Sequence, residues 1–465
     1  MLFSFQTFSQ TSKYIGTWEG DLDAGMQKLK LVFTISQNEN AILKLTMQSP
    51  QQSAMQIPAD TVYIDIANNI LMEIKKFNVS FKGGLQNDTI ISGEFTQGIA
   101  FPLQLKKVEK VSPVTKSKRP QTPKPPFFYK SIDVTFSNKN SSIQFGGTLT
   151  LPDTNIASKF PTVILISGSG AQDRDETIFG HKPFAVIADY LTKNGIAVLR
   201  VDDRGVGKTT GKHSTATSID FADDKEAALN FLKKNKWVDS KRIGLIGHSE
   251  GGMIAPLLAS KRKDIKAIVL LAGPGIIGFD LLTEQNVAIL KSNGVPNDVA
   301  EAYGVLFKKI TKTILNSKDT SSAFANGIKV LNKWEVSDSI KILFKVSTMQ
   351  DKKVFVEAMV NQLYNNWFKY FLNYNPAPVL KKLSCNVLAL NGSNDFQVLP
   401  ASNLSGIKAA LQKSKSKNYE IKEIEGLNHL FQTCKTCTLD EYAKLDETFS
   451  PQVLELMAIW LKNNL

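Results

Sequence analysis

Gly247-His248-Ser249-Glu250-Gly251-Gly252 sets a serine among glycines, directly after an apolar run at 243–246 and directly before an apolar helical stretch that begins at Met253. A serine on so tight a strand-to-helix turn is held in a strained backbone with its hydroxyl exposed, and flanking glycines let the chain crowd around it. A hydroxyl is a weak nucleophile at neutral pH, so the acyl transfer this turn suggests needs an imidazole base oriented by a carboxylate. The chain has four histidines. His248 adjoins the serine and points elsewhere on the turn, while His181 and His213 precede the serine in the chain. His429 remains, in Gly426-Leu427-Asn428-His429 just past an expected strand at 419–424. Catalytic groups of open α/β sheets gather at such strand ends. The acid, expected between serine and histidine in chain order, is Asp395, which closes Asn391-Gly392-Ser393-Asn394-Asp395 behind an apolar strand at 387–390. Glu425 and Asp440 lie nearer to His429 in sequence but lack that placement. The competing reading makes His429 a surface loop residue and Asp395 a turn residue.

A tetrahedral intermediate needs backbone donors for its negative oxygen. The amide of Glu250, next after the serine, is expected to be one. The other is expected from Ser167-Gly168-Ser169-Gly170, which follows an apolar strand at 163–166. Ser169 is the preferred donor and Gly168 the alternative, although a Gly/Ser loop can also be a plain turn. Asp173, Arg174 and Asp175 come next, at the expected pocket edge. Arg174 and Asp173 are therefore candidate substrate-binding residues, Arg174 for a substrate carboxylate; the plainer reading has Arg174 neutralise the two aspartates. Asp203 and Arg204 are expected to brace a turn by pairing internally.

These residues need a frame. Apolar runs at 163–166, 196–201, 243–246 and 265–272 alternate with amphipathic helical stretches, one carrying Phe184, Ile187, Ala188 and Leu191 and the next Ala228, Leu229 and Leu232. That alternation predicts a largely parallel sheet covered by helices on both faces. A Lys-, Asn- and Ser-rich helical block at about 275–378 interrupts it, before strands resume at 386–390 and 419–424. In that block Phe307, Leu343, Phe344, Trp367 and Phe371 could cover an apolar acyl site or serve only the block's own core. Ser450-Pro451 then opens a final helix.

Ahead of this frame, residues 16–107 alternate apolar and polar at a two-residue period, with runs at 29–35, 42–47, 62–66, 70–74, 79–81, 90–95 and 101–105. Asn68-Asn69, Gly83-Gly84 and Asn87-Asp88 read as turns. The prediction is a small antiparallel β domain, sheet or barrel, with an accessory role. Residues 108–126, rich in Pro and Lys, read as a linker. Residues 1–15 open with a short apolar piece that lacks the charged start of a signal peptide; a signal remnant, a truncated start and a frayed terminus all fit.

The serine turn, Gly168-Ser169-Gly170 with Asp173-Arg174-Asp175, Asp203-Arg204-Gly205-x-Gly207, Gly392-x-x-Asp395 and Asn428-His429 together make residues 127–465 resemble the α/β-hydrolase superfamily, near its serine aminopeptidase-like and acyl-esterase branch. The resemblance implies an α/β-hydrolase fold, a mostly parallel sheet with a helical cap insertion, and maps the family's triad onto Ser249, Asp395 and His429. Ser167 departs from the pattern, since many relatives have a histidine before the oxyanion glycine. The N-terminal segment resembles the accessory domain that precedes some bacterial exported hydrolases.

Composition narrows the function. Hydrophobic residues at 42% and charged residues at 21% are ordinary for a globular protein, and no apolar run nears the roughly 20 residues of a membrane-spanning helix. The net charge of +13 comes from Lys and Arg spread along the chain, which argues for a solvated surface over a nucleic-acid footprint. The expectation is a carboxylesterase acting on a small-molecule ester, with a serine aminopeptidase on short peptides as the first alternative and an inert binding protein as the second. For an aminopeptidase, Glu250, Asp173 and Asp175 are the candidates for holding an α-amine. No metal or organic cofactor is required, and oligomeric state is not readable. Export is the favoured localisation, against the cytoplasm. Cys434-x-x-Cys437 could oxidise in an exporting compartment or be two incidental thiols.

Overall fold

Leu31, Phe33 and Ile35 turn inward from residues 28–37 while Thr34 and Ser36 stay nearer water, so the two-residue period makes a strand with one buried face. The computed structural model describes residues 11–23, 28–39, 41–50, 56–75, 79–97, 99–111, 118–140, 142–155 and 159–465. The chain separates into two units, Met1–Lys118 and Arg119–Leu465.

The first unit is a nine-stranded antiparallel sheet, ordered β4-β3-β2-β1-β9-β8-β7-β6-β5. Its strands are β1 (Gly16–Asp23), β2 (Lys28–Gln37), β3 (Leu43–Gln48), β4 (Ile57–Pro58), β5 (Thr61–Ile64), β6 (Asn69–Ile74), β7 (Val79–Asn87), β8 (Ile90–Gln97) and β9 (Ile99–Val108). The sheet curls until β3 meets β5, around a core of Trp18, Phe33, Phe81, Ile91 and Leu105. Each such fully buried side chain contributes roughly 1.5–3 kcal/mol. Asn68 forms its expected turn, with a φ of 60°. Gly83-Gly84 does not turn: both residues lie inside β7, paired with β6 and β8. They make room instead, since a Cβ on Gly83 would come within 2.5 Å of the Phe81 ring. Residues 1–10 of the suggested signal remnant lie outside the described residues, whereas Tyr14 is buried in the core and its carbonyl accepts from the Trp18 indole at 2.7 Å.

The second unit is built on an eight-stranded sheet ordered β10-β11-β13-β12-β14-β15-β16-β17. These strands are β10 (Lys130–Ser137), β11 (Gln144–Leu151), β12 (Phe160–Ile166), β13 (Ala197–Val201), β14 (Val238–His248), β15 (Ile265–Leu271), β16 (Asn386–Gly392) and β17 (Tyr419–Ile424). All pairings from β13 to β17 are parallel, and β10 and β11 add antiparallel edges. Every residue of β13 is buried, as expected where helices cover both faces. The covering helices are α1 (Pro183–Lys193), α2 (Ser218–Lys234) and α3 (Gly251–Ala259), with further helices in the C-terminal part. The chain runs from β12 outward to β13 and then returns to β14 on the other side. That reversal opens a crevice at the carboxyl ends of β12 and β14, where the Ser167–Gly170 loop and Ser249 stand.

Between β15 and β16 come α4 (Gly278–Ser292), α5 (Asn297–Leu315), α6 (Thr320–Asn332), α7 (Asp338–Leu343), α8 (Met349–Leu363), α9 (Asn366–Asn373) and α10 (Ala377–Leu380). Leu306, Phe307, Ile310 and Ile314 recur at helical spacing on α5 and bury a core of the block's own with Val356 and Leu363. Thr348 and Asp351 cap α8 reciprocally. Of the five apolar residues singled out in this block, Phe307 and Phe344 join that local core, and Leu343 is exposed. Phe371 and Trp367 pack on the main core.

The segment 108–126 divides at the unit boundary. Residues 112–117 lie outside the described residues, and Arg119 and Gln121 belong to the second unit. Arg119 donates to the carbonyls of Leu445 (2.7 Å), Phe179 (2.8 Å) and Ala443 (2.9 Å), and Gln121 bonds the backbone of Thr448 and Phe449. Part-buried carbonyls that need donors explain why a Pro- and Lys-rich stretch is held there. Among the described residues no helix is long and apolar enough to cross a membrane.

Candidate active site

Ser249 follows β14 and precedes α3 with a φ of 53°, a left-handed conformation that a side chain adopts only under constraint. Its amide donates to Leu271 O at 2.8 Å, which ties the turn to β15. The neighbouring glycines are obligatory: a Cβ on Gly251 would sit 2.1 Å from Ile166 O, and one on Gly247 2.0 Å from Gly251 O. The turn therefore packs against the end of β12. A Cβ on Gly168 would come within 3.1 Å of the Ser249 Cβ, so the Gly/Ser loop passes directly beside the serine.

His429 and Asp395 meet as expected, with His429 Nδ1 2.8 Å from Asp395 Oδ2 and both side chains buried. The carboxylate can only accept, so Nδ1 carries a proton, which in the neutral ring leaves the lone pair on Nε2. Asp395 also accepts from the amides of Gln397 (2.8 Å) and Val398 (2.9 Å) and from the Asn391 side chain (3.3 Å). Asn428 Oδ1 accepts from the amides of Leu430 and Gln432, each at 3.0 Å, and shapes the loop that carries His429. Cys434 and Cys437 are joined in a disulfide just beyond this loop.

The loop after β12 departs from expectation at Gly168. Its amide donates to Glu176 Oε1 at 2.6 Å, so that N–H is already taken. Ser169 is exposed, and Glu250 opens α3, where first-turn amides have no intrahelical acceptor. The Glu250 side chain is buried; its Oε1 accepts from Ser218 Oγ (2.5 Å) and from Trp367 Nε1 of α9 (2.8 Å). Burial pushes this carboxyl above its ordinary range, against the opposing hydrogen bonds of Ser218, Trp367 and Ser169.

Arg174 and Asp173 face partners within the protein. Arg174 grips Asp202 through Nε (3.0 Å) and Nη2 (2.7 Å) and also bonds Thr148 and Asp133. Asp173 accepts from the amides of Asp175 and Thr177, each at 3.0 Å, and from the Thr177 hydroxyl. Asp175 pairs with Arg200 and Lys182. Asp203 and Arg204 do not pair with each other: Asp203 takes Ser167, Gln172 N and Lys225, and Arg204 takes Asp224. Both thereby clamp the loop ends to α2. Ser167, where many α/β-hydrolases place a histidine, is held by Asp203.

Sequence reasoning passed over Glu176 and His248. His248 Nδ1 lies 3.0 Å from Glu176 Oε1 and Nε2 lies 3.0 Å from His429 O. The one signal was compositional: a histidine beside the serine on its turn and a fourth charged residue in Asp173-Arg174-Asp175-Glu176.

Residues 182–433 match the family model described as serine aminopeptidase, S33. Esterase EstD of Thermotoga maritima is 26% identical over 319 residues, covering 68% of this chain and 65% of that protein. Esterase FrsA of Vibrio cholerae is 32% identical over 161 residues, covering 34% of each. The chain thus spans less than two thirds of the length of either relative. Among solved structures, the Pyrococcus furiosus esterase Pf2001 aligns at 18% identity with a TM-score of 0.43, over 72% of this chain and 91% of that one.

Proposed function

The chain belongs to the serine aminopeptidase S33 family, and on that premise we propose that it is a serine hydrolase that cleaves carboxylic esters through Ser249, His429 and Asp395. The observation that carries the proposal is the 2.8 Å His429–Asp395 bond standing at the strand ends beside a serine held at a φ of 53°. In this reading His429 Nε2 takes the Ser249 proton as Oγ attacks the ester carbonyl, while Asp395 holds the ring and stabilises the imidazolium. The amides of Glu250 and Ser169 receive the oxyanion; the Gly168 amide, engaged by Glu176, serves the loop instead. The alcohol leaves with the proton from His429, and water repeats the sequence on the acyl-enzyme.

Ester cleavage is favoured over peptide cleavage by the carboxylates themselves. An α-amine needs an acceptor with room for it, and the three candidates are engaged elsewhere. Glu250 is held by Ser218 and Trp367, Asp173 by its own turn, and Asp175 by Arg200 and Lys182. The esterase names of the two relatives point the same way.

The test is turnover of p-nitrophenyl esters from acetate to decanoate beside aminoacyl p-nitroanilides, with Ser249→Ala as the blank. Ester turnover should fall on the order of 10⁶-fold in the variant, with the anilides uncleaved throughout. Anilide cleavage would move the reading to a peptidase, and silence on both substrate classes would leave an inert binding protein.

A further inference from the structure

His248 has two hydrogen-bond partners and neither can donate to it. Glu176 Oε1 and the carbonyl oxygen of His429, each 3.0 Å from a ring nitrogen, are both acceptors. An imidazole that donates from both nitrogens is an imidazolium. The same Glu176 oxygen also accepts from the Gly168 amide at 2.6 Å. One buried ion pair therefore touches all three pieces that must keep register: the loop that carries Ser169, the turn that carries Ser249, and the loop that carries His429. Glu176 has a φ of 52°, a strained position for a side-chain-bearing residue that persists only where surroundings hold it.

We propose that His248 and Glu176 are positioning residues for the hydrolysis, a standing imidazolium–carboxylate pair that locks the oxyanion loop and the base loop to the nucleophile turn. The inference rests on the serine-hydrolase reading for its kinetic consequence but not for its protonation state. The groups that face His248 agree with that state. Burial pulls its basicity down, but the charge and hydrogen bond of Glu176, the His429 carbonyl and the more distant Asp395 charge outweigh it and push the ring above its ordinary value. The His429 ring lies 4.9 Å away, centroid to centroid. Neither member of the pair is placed to touch the reacting carbonyl, and displacement of a catalytic group by about 1 Å costs about 10²-fold in rate.

The first test reads protonation directly. In the full chain labelled with ¹⁵N-histidine, one imidazole of the four should keep both nitrogens protonated at pH 8.5. That signal should vanish in His248→Asn and shift in Glu176→Gln, so the assignment does not depend on one variant folding. Four neutral rings at pH 8.5, or a persistent signal that both variants leave unchanged, would overturn the proposal. The second test is kinetic. Glu176→Gln keeps an acceptor oxygen but removes the charge that holds the second proton, so kcat on p-nitrophenyl acetate at pH 8.5 should fall about 10²-fold with KM within about twofold. The ratio of variant to wild-type kcat should climb as pH falls toward 6 and His248 regains its proton. A ratio that stays flat with pH is the outcome of a merely structural role and would also overturn it. Failure of the serine-hydrolase reading looks different, as wild-type protein inert toward every ester while the nitrogen signal remains.

Discussion

Among the described residues, the interior of the N-terminal sheet holds Trp18, Phe33, Phe81 and Phe95 with Ser49 as its buried polar side chain, whereas the second unit buries Glu176, Asp203, His248, Glu250, Asp395 and His429. These six stand on the loops around Ser249, beyond or near the carboxyl ends of the central strands. A buried polar group costs several kcal/mol unless it is bonded, and each of the six is bonded to a named partner. The first unit follows the rule for an apolar core. The second buries polar side chains in several places, and six of its charged or imidazole groups surround one strained turn, where a low dielectric strengthens each contact. The contrast supports the proposed site without reference to any relative.

Three experiments can break or sharpen that contrast. The largest effect is expected at the acid. Asp395→Asn leaves a hydrogen-bonding shape but favours the wrong histidine tautomer, so kcat should drop about 10⁴-fold while the melting profile changes little. An active variant would mean that the buried polar cluster is structural. Next comes the apolar unit: Trp18→Ala should destabilise the sheet by about 3–5 kcal/mol, read by urea unfolding followed through its far-UV signal, and should leave ester kcat in the still-folded second unit unchanged. Loss of kcat there would give the N-terminal unit a catalytic part.

The smallest effect concerns acid. His181 is buried against Thr448 and the Tyr442 carbonyl, and desolvation, helped by the Arg119 charge, pulls its pKa from 6.5 down to about 4. The folded value lies below the unfolded one, so the unfolded state binds the proton first. Stability from this source is complete above pH 6.5 and is lost as pH falls from there toward 4, by about 3 kcal/mol in all. The first unit contains no histidine and should lack this component. Urea unfolding of the second unit at pH 6.5 and 4.5, a range over which a group such as His248 with a raised basicity contributes a constant amount, should show the loss, and His181→Gln should reduce it.

Much of this was legible in the chain. Strand periodicity marked the fold, the glycine-flanked serine pointed to Ser249 and scarcity of histidine pointed to His429, because local pattern governs strand ends and turns. Gly83-Gly84 misled because a glycine that makes room for an aromatic ring looks the same in sequence as one that turns the chain. Arg174 misled for a related reason: its partners Asp202, just past β13, and Asp133, in β10, lie 28 and 41 residues away, and pairing at that distance leaves no local mark. Glu176 and His248 were hidden likewise, since 72 residues separate them. The role of Trp367 depended on how the helical block folds back onto Glu250, which periodicity does not encode.

The central claim is that Ser249 is the nucleophile, and a fluorophosphonate probe tests it most directly, since it bonds covalently only to an activated serine hydroxyl. Purified protein should gain one adduct that peptide mass spectrometry assigns to Ser249, absent in Ser249→Ala and formed far more slowly in Asp395→Asn. Ester turnover with no adduct at Ser249, or an adduct that survives in Ser249→Ala, would contradict the account.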